Sequence, residues 1–280
     1  MPIRDGDTRE HDLLCEDCGY ELRGHSADAS CPECGLRVAE SVPEARTGSP
    51  FQIAPSITSW AATCWRVLRH PRTTMRRVRV ERSSAKRLLL VNLTLAGLLA
   101  AGPWVGVLIG DPARSASSLG PVLGRVVFAL VFVAEVAMVA LIMLALTWIE
   151  QRGIRFFAAK RGWRLTRDAS WQVCAHASVG WILASGLALL GMASLYAILL
   201  VTHRAPTSTI TLKPYVNYTI NSSSVIYAII IGSGFFAGLL VFECLVYVGV
   251  RSCRFANPAK PATPHPASAE PISAGPAPNT

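Results

Sequence analysis

Residues 88–109 read LLLVNLTLAGLLAAGPWVGVLI, with no charged side chain anywhere in the run. A helix of about 20 apolar residues crosses the hydrocarbon of a bilayer. Three more such stretches follow, at 122–149, 171–201 and 225–250. With the first span taken as 88–110, they predict a mainly α fold, a four-helix transmembrane bundle over residues 88–256. The composition agrees. The chain is 51% hydrophobic and 16% charged, where a soluble domain carries roughly 25% charged residues. The apolar excess is blocked into segments, which suits lipid better than one large core. The second and third stretches exceed the minimum length, so tilt or an end outside the hydrocarbon is expected.

Before the bundle the chain changes character. The opening MPIRDGDTREHDLL is polar, with no apolar run and no small-residue cleavage site. No signal peptide is expected, and the first span would direct insertion. Residues 15–35 read CEDCGYELRGHSADASCPECG. Cys15 and Cys18 form one CxxC pair, Cys31 and Cys34 another, with 12 residues between. Such spacing reads as a metal site rather than a disulfide framework. Each pair is followed by glycine, Gly19 and Gly35, which tolerates the positive φ of a tight turn. Four thiolates complete a tetrahedral structural zinc site, one Zn²⁺ per chain. A segment this small cannot fold on apolar burial alone, so metal binding would supply most of its folding free energy. A thiol–disulfide switch would need only one of the two pairs. His25 lies between them and reads as a surface residue, since the cysteines already fill the shell.

The motifs C-x-x-C-G-Y and C-P-x-C-G resemble the zinc-ribbon family over about 25 residues. Rubredoxins share both half-motifs, but with the pairs much further apart, which favours zinc over iron. The resemblance implies a zinc ribbon over residues 1–39, with Cys15, Cys18, Cys31 and Cys34 as ligands.

Residues 40–55 hold Pro43, Gly48, Pro50 and Pro55 among small polar residues and read as a flexible linker. Residues 56–87 read as an interfacial amphipathic helix and a basic collar. In SITSWAATCWRVLRH, Ile57, Trp60, Ala61, Cys64, Val67 and Leu68 recur at helical spacing, Ser56 suits an N-cap, and Pro71 ends the helix. Trp60, Trp65 and an arginine face fit a helix lying on a bilayer; packing under the cysteine head is the alternative. From Arg66 to Arg87 there are nine Lys or Arg against one acid, Glu81. A basic run can bind nucleic acid, but this one abuts a span. It reads as an anchor to anionic lipid headgroups, with no nucleic-acid partner assigned.

Orientation follows from the basic residues near the span ends. The collar has nine, residues 150–170 have six, and Arg251, Arg254 and Lys260 follow the last span. The other two loops carry Arg114 alone, and Arg204 with Lys213. Four spans put the three rich segments on one side, the cytoplasm, together with both termini and the thiolate head. A reducing compartment also suits free thiolates. The loop EQRGIRFFAAKRGWRLTRD reads as a surface helix under the bilayer. In the polar outer loop, Asn217 and Asn221 match glycosylation acceptors, a pattern common by chance. Residues 257–280, with seven prolines, read as a disordered tail.

The ionisable residues inside the spans include Glu135, His176 and Glu243. Such groups face the bundle interior or water. Depth along the spans suggests a pair between His176 and Glu243. They would serve either to lock helices together or to line a proton or substrate path. Ser185, Gly186, Gly191, Gly232, Gly234 and Gly238 should mark close helix contacts, Gly234-x-x-x-Gly238 most clearly. No HExxH, GxSxG or GxxxxGK[ST] occurs, so the common hydrolase and nucleotide signatures are missing.

The run W-R-V-L-R-H-P-R-T-T-M-R-R-V, with the general hydropathy up to about Leu90, resembles the entry of Yip-type membrane domains. That family usually has five spans, against four here. A zinc ribbon fused to such a bundle resembles bacterial inner-membrane proteins without assigned chemistry. The reading is a non-enzymatic membrane protein presenting a structural zinc ribbon to a cytoplasmic protein partner. The alternative is a small transporter or channel-like protein using Glu135, His176 and Glu243.

Overall fold

The computed structural model describes residues 13–110, 120–202, 209–211 and 219–258. The loop 111–119, Asn217 and residues 259–280 lie outside that set, and with them the expectations for the tail and for that acceptor site.

The chain is mainly helical. A short helix α1 (Pro50–Ile53) and α2 (Ile57–Arg69) lead through α3 (Pro71–Arg77) into α4 (Arg82–Gly110). Next come α5 (Gly120–Lys160), α6 (Arg167–Ala177) and α7 (Val179–Thr202). A two-stranded antiparallel hairpin, β1 (Thr209–Thr211) with β2 (Thr219–Asn221), precedes α8 (Ser222–Ser252). Four segments are long and apolar enough to cross a membrane: Arg82–Gly102, Val126–Lys160, Arg167–Leu195 and Ile229–Ser252.

Two boundaries differ most from the hydropathy reading, for the same reason. A helix does not stop where the hydrocarbon does. Helix α4 begins at Arg82 rather than at 88. Helix α5 runs on to Lys160 and absorbs the first half of the loop read as a surface helix. The turn that follows is closed by Trp163 N–H donating to Ala158 O (2.9 Å) and by Gly162 at φ 70°.

The third span is two helices. They break at Ser178, whose hydroxyl donates to Ala175 O (2.7 Å) and accepts from Asn92 Nδ2 (2.8 Å). Asn92 also accepts from the indole of Trp60 (2.7 Å). One buried asparagine on α4 thus holds both the break in the third span and the helix α2. That helix is seated by Thr63 and Val67, while Ile57 and Trp65 stay exposed.

The bundle packs through small residues, as membrane helices do. Helix α7 meets α8 where Ala184 and Ala188 sit against Gly238 and Gly234. A Cβ on Gly234 would lie 2.7 Å from the Ala188 nitrogen. Gly191 abuts Ile230, and Ser185 is buried. Gly186 and Gly232 have open space around them, so they do not mark contacts. Trp181 fills the centre, stacked on Phe242 (4.8 Å) and Phe235 (5.8 Å), its N–H donating to Thr147 Oγ1 (3.0 Å). Helix α5 is the outlier. Only 6% of its apolar window is buried within the chain, which leaves most of its surface for lipid.

Residues 40–55 are not a free tether. Ser41, Arg46, Ser49 and Phe51 are buried. A 3₁₀ turn spans Pro43–Ala45, and Ser49 with Gln52 forms a capping box on α1. Most buried polar groups are hydrogen-bonded, and here the partners lie far along the chain. They draw the segment down onto the bundle.

Candidate metal centre

The cysteine head is a pair of matched turns. In the first, Cys15 N–H donates to Tyr20 O and Gly19 N–H to Cys15 O (both 2.8 Å). In the second, Cys31 N–H donates to Leu36 O (2.7 Å) and Gly35 N–H to Cys31 O (2.9 Å). Gly19 and Gly35 adopt φ 83° and 77°, the left-handed region that favours glycine. Each turn is continued by one further bond, Leu22 N–H to Leu13 O and Val38 N–H to Ala29 O. Leu22 and Val38 are nearly fully buried and form the small core beneath the sulfurs.

All four Sγ atoms lie within 4.8 Å of one another. Cys15 and Cys34 are 3.4 Å apart at sulfur, Cys18 and Cys31 3.6 Å. A disulfide would require about 2.05 Å. A tetrahedral Zn(Cys)₄ centre with bonds of about 2.3 Å has sulfur–sulfur edges of roughly 3.8 Å. The arrangement therefore fits a four-thiolate metal ion, and each close pair takes one sulfur from each turn. Cys15 and Cys31 are buried, Cys18 and Cys34 exposed.

Without a cation the thiols are electrostatically unequal. Desolvation and the neighbouring sulfurs push Cys18 up to about 12, although the Tyr20 backbone opposes this. Burial also raises Cys31, but the backbone groups of Cys34 and Glu33 prevail and bring it to about 7. His25 is exposed, lies edge-on to Tyr20 at 6.1 Å, and is not part of the cluster.

The head is docked. Arg46, 3% exposed, donates to both carboxylate oxygens of Glu16 (2.8 and 3.0 Å). Its remaining nitrogen donates to Val78 O (3.0 Å) and Met75 O (3.3 Å). Burial opposes the Arg46 charge, but Cys253 and Glu16 beside it raise its pKa above the ordinary value. Beyond α8, Asn257 accepts from Leu14 N–H (3.1 Å) and donates to Leu14 O (2.8 Å) and Ser41 O (2.7 Å). It also accepts from Arg164 Nη2 (2.6 Å). Arg254 donates to Asp17 O, and the ring of Phe255 covers Gly19. None of this was visible from motif spacing: Asn257 sits in a stretch read as tail, and Arg46 in one read as linker.

The ionisable residues of the spans do not assemble. His176 is buried at 2% exposure, with Nδ1 at Gln172 O (2.9 Å) and Nε2 at Ser49 Oγ (3.1 Å). Its partner is the head-side segment, not Glu243. Glu243 is exposed on α8, next to buried Phe242. Depth along a span sets height and leaves azimuth free. Glu135 is half-buried on α5; among the described residues no hydrogen bond joins it to the other two. Glu243 instead shares a cavity of about 230 Å³ with Glu150, between α5 and α8.

Comparison with protein-family models, curated proteins and solved structures found no match. The class defined by fold and site is therefore a helical membrane protein carrying a four-cysteine head at metal-binding distance. No family match supports the likeness to Yip-type domains.

Proposed function

We propose that this protein is a non-enzymatic membrane scaffold that presents a structural zinc ribbon to a protein partner. The bundle fixes the head at the membrane, and zinc closes the head. The observation that carries this reading is the clamp of Arg46 and Asn257, which gives the head a fixed orientation. The head exposes Arg23, Pro32, Glu33 and Arg37. A closed four-thiolate shell leaves no position for a substrate.

The head would face the cytoplasm, with both termini on that side, and a bacterial inner membrane is the compartment the reading assigns. The arginines support this. Arg76 and Arg254 lie at Asp17, Arg164 at Asn257, and Arg161 and Arg251 line one cavity, so the basic segments converge at the head end. Ile57 and Trp65 on α2 would rest in the interface there.

A photo-crosslinking residue at Glu33 tests the partner reading in intact membranes. A discrete adduct that disappears with Cys31→Ser supports it. No adduct from Glu33, Arg23 or Arg37 overturns it. The transporter reading is favoured only by the Glu150–Glu243 cavity. It requires Glu243→Gln to abolish a flux while leaving the fold intact.

A further inference from the structure

The turn joining α5 to α6 lines a second, open cavity, remote from the thiolates in chemistry. It holds about 630 Å³ and is walled by Arg152, Arg155, Arg164 and Arg167, with Trp148 and Phe156 on its α5 side. Among the described residues no aspartate or glutamate lines it. Of the described acids close in sequence, Glu150 lines the cavity shared with Glu243, and Asp168 in the first turn of α6 is not among the walls.

Arg152, Arg155 and Arg167 are exposed around this space, and like charges brought to one place favour an anion between them. The hollow is held open by a frame independent of any ligand. Gln151 Nε2 donates to buried Ser170 Oγ (2.7 Å), tying α5 to α6. Arg164 is held by Asn257. Thr166 caps α6 by accepting from Ala169 N–H (3.2 Å), and Thr166 and Arg167 at that helix start face the same space. Arg152 lies over the Trp148 ring, its guanidinium carbon 4.2 Å from the ring centroid.

Guanidinium forks match the oxygens of phosphate. The location narrows the source. The cavity sits where the span Val126–Lys160 ends and the span Arg167–Leu195 begins. Trp148 and Phe156 are exposed on the same helix, as aromatic residues at a membrane–water boundary are. Basic pockets between membrane helices recognise anionic headgroups.

We propose that this cavity is a phosphate-binding site, filled by the headgroup of an anionic membrane lipid. It is separate from the collar at residues 66–87, and it does not depend on what the head binds.

The test uses the full chain purified in detergent, with bound lipid counted by native mass spectrometry. Phosphatidylglycerol is expected to bind at least tenfold tighter than phosphatidylcholine. The double variant Arg155→Gln/Arg167→Gln, at exposed positions, should lose about tenfold of that affinity at an unchanged melting temperature. The collar variant Arg82→Gln/Arg87→Gln should keep it. Inorganic phosphate forms the second arm. If it binds the wild type, is lost in the double variant and outcompetes the lipid, the phosphate chemistry stands and the source is soluble. If neither phosphatidylglycerol nor inorganic phosphate distinguishes wild type from the double variant, the proposal is overturned.

Discussion

Arg46 and Glu16 face each other in a two-pronged ion pair, Nε to Oε1 at 2.8 Å and Nη2 to Oε2 at 3.0 Å. The pair joins a segment that reads as linker to the first cysteine turn, 30 residues earlier in the chain. The same guanidinium bonds the carbonyls of Met75 and Val78, so one side chain ties the head to the approach of the first span.

Removing one partner of a buried pair leaves the other charge uncompensated, at a cost of roughly 3 kcal/mol or more. Glu16→Ala should therefore undock the head while the spans stay folded. Limited proteolysis should cut between residues 13 and 49 at least tenfold faster, with helix content measured by circular dichroism unchanged. The double change Glu16→Ala/Arg46→Met should be milder than Glu16→Ala alone, because it leaves no orphaned charge.

Metal removal should act on the head alone. Metal analysis should find about one zinc per chain, and Cys31→Ser should lose it. Ligand thiols must be deprotonated to bind. Cys18, pushed up to about 12, keeps its proton at neutral pH until the metal displaces it. The sign follows: apparent affinity rises with pH and falls as pH drops, by about tenfold per unit for each proton displaced. Chelator competition at pH 6, 7 and 8 measures the slope. A flat profile would contradict thiolate ligation.

The helix contact at Gly238 has no room for a side chain against Ala184. Gly238→Val should destabilise the bundle by about 1–3 kcal/mol, the usual cost of overpacking. Gly232→Val, in open space, should cost little. Thermal unfolding of the two variants in detergent gives the comparison.

What the sequence made legible was local. The four cysteines lie within 20 positions of one another, and glycine follows each pair, so the turns and the ligand set can be read directly. The spans are legible because hydropathy integrates over a whole helix. What stayed hidden depends on partners far apart. Ser49 and His176 are separated by 127 residues, and Leu14 and Asn257 by 243. No spacing rule reaches that far, and a lone arginine or asparagine among prolines looks like linker. The expected His176–Glu243 pair failed on azimuth: α8 turns Phe242 and Val246 inward and leaves Glu243 and Tyr247 outside.

The central claim is that the head and the bundle form one body, joined at Asn257. Hydrogen exchange of single amides in the zinc-loaded full chain addresses it most directly, since Leu14 N–H is bonded to the Asn257 side chain while Gly35 N–H is bonded within its own turn. Asn257→Ala should speed exchange at Leu14 by tenfold or more and leave Gly35 protected. Equal exchange at Leu14 in wild type and variant, with the head folded in both, would contradict the docking.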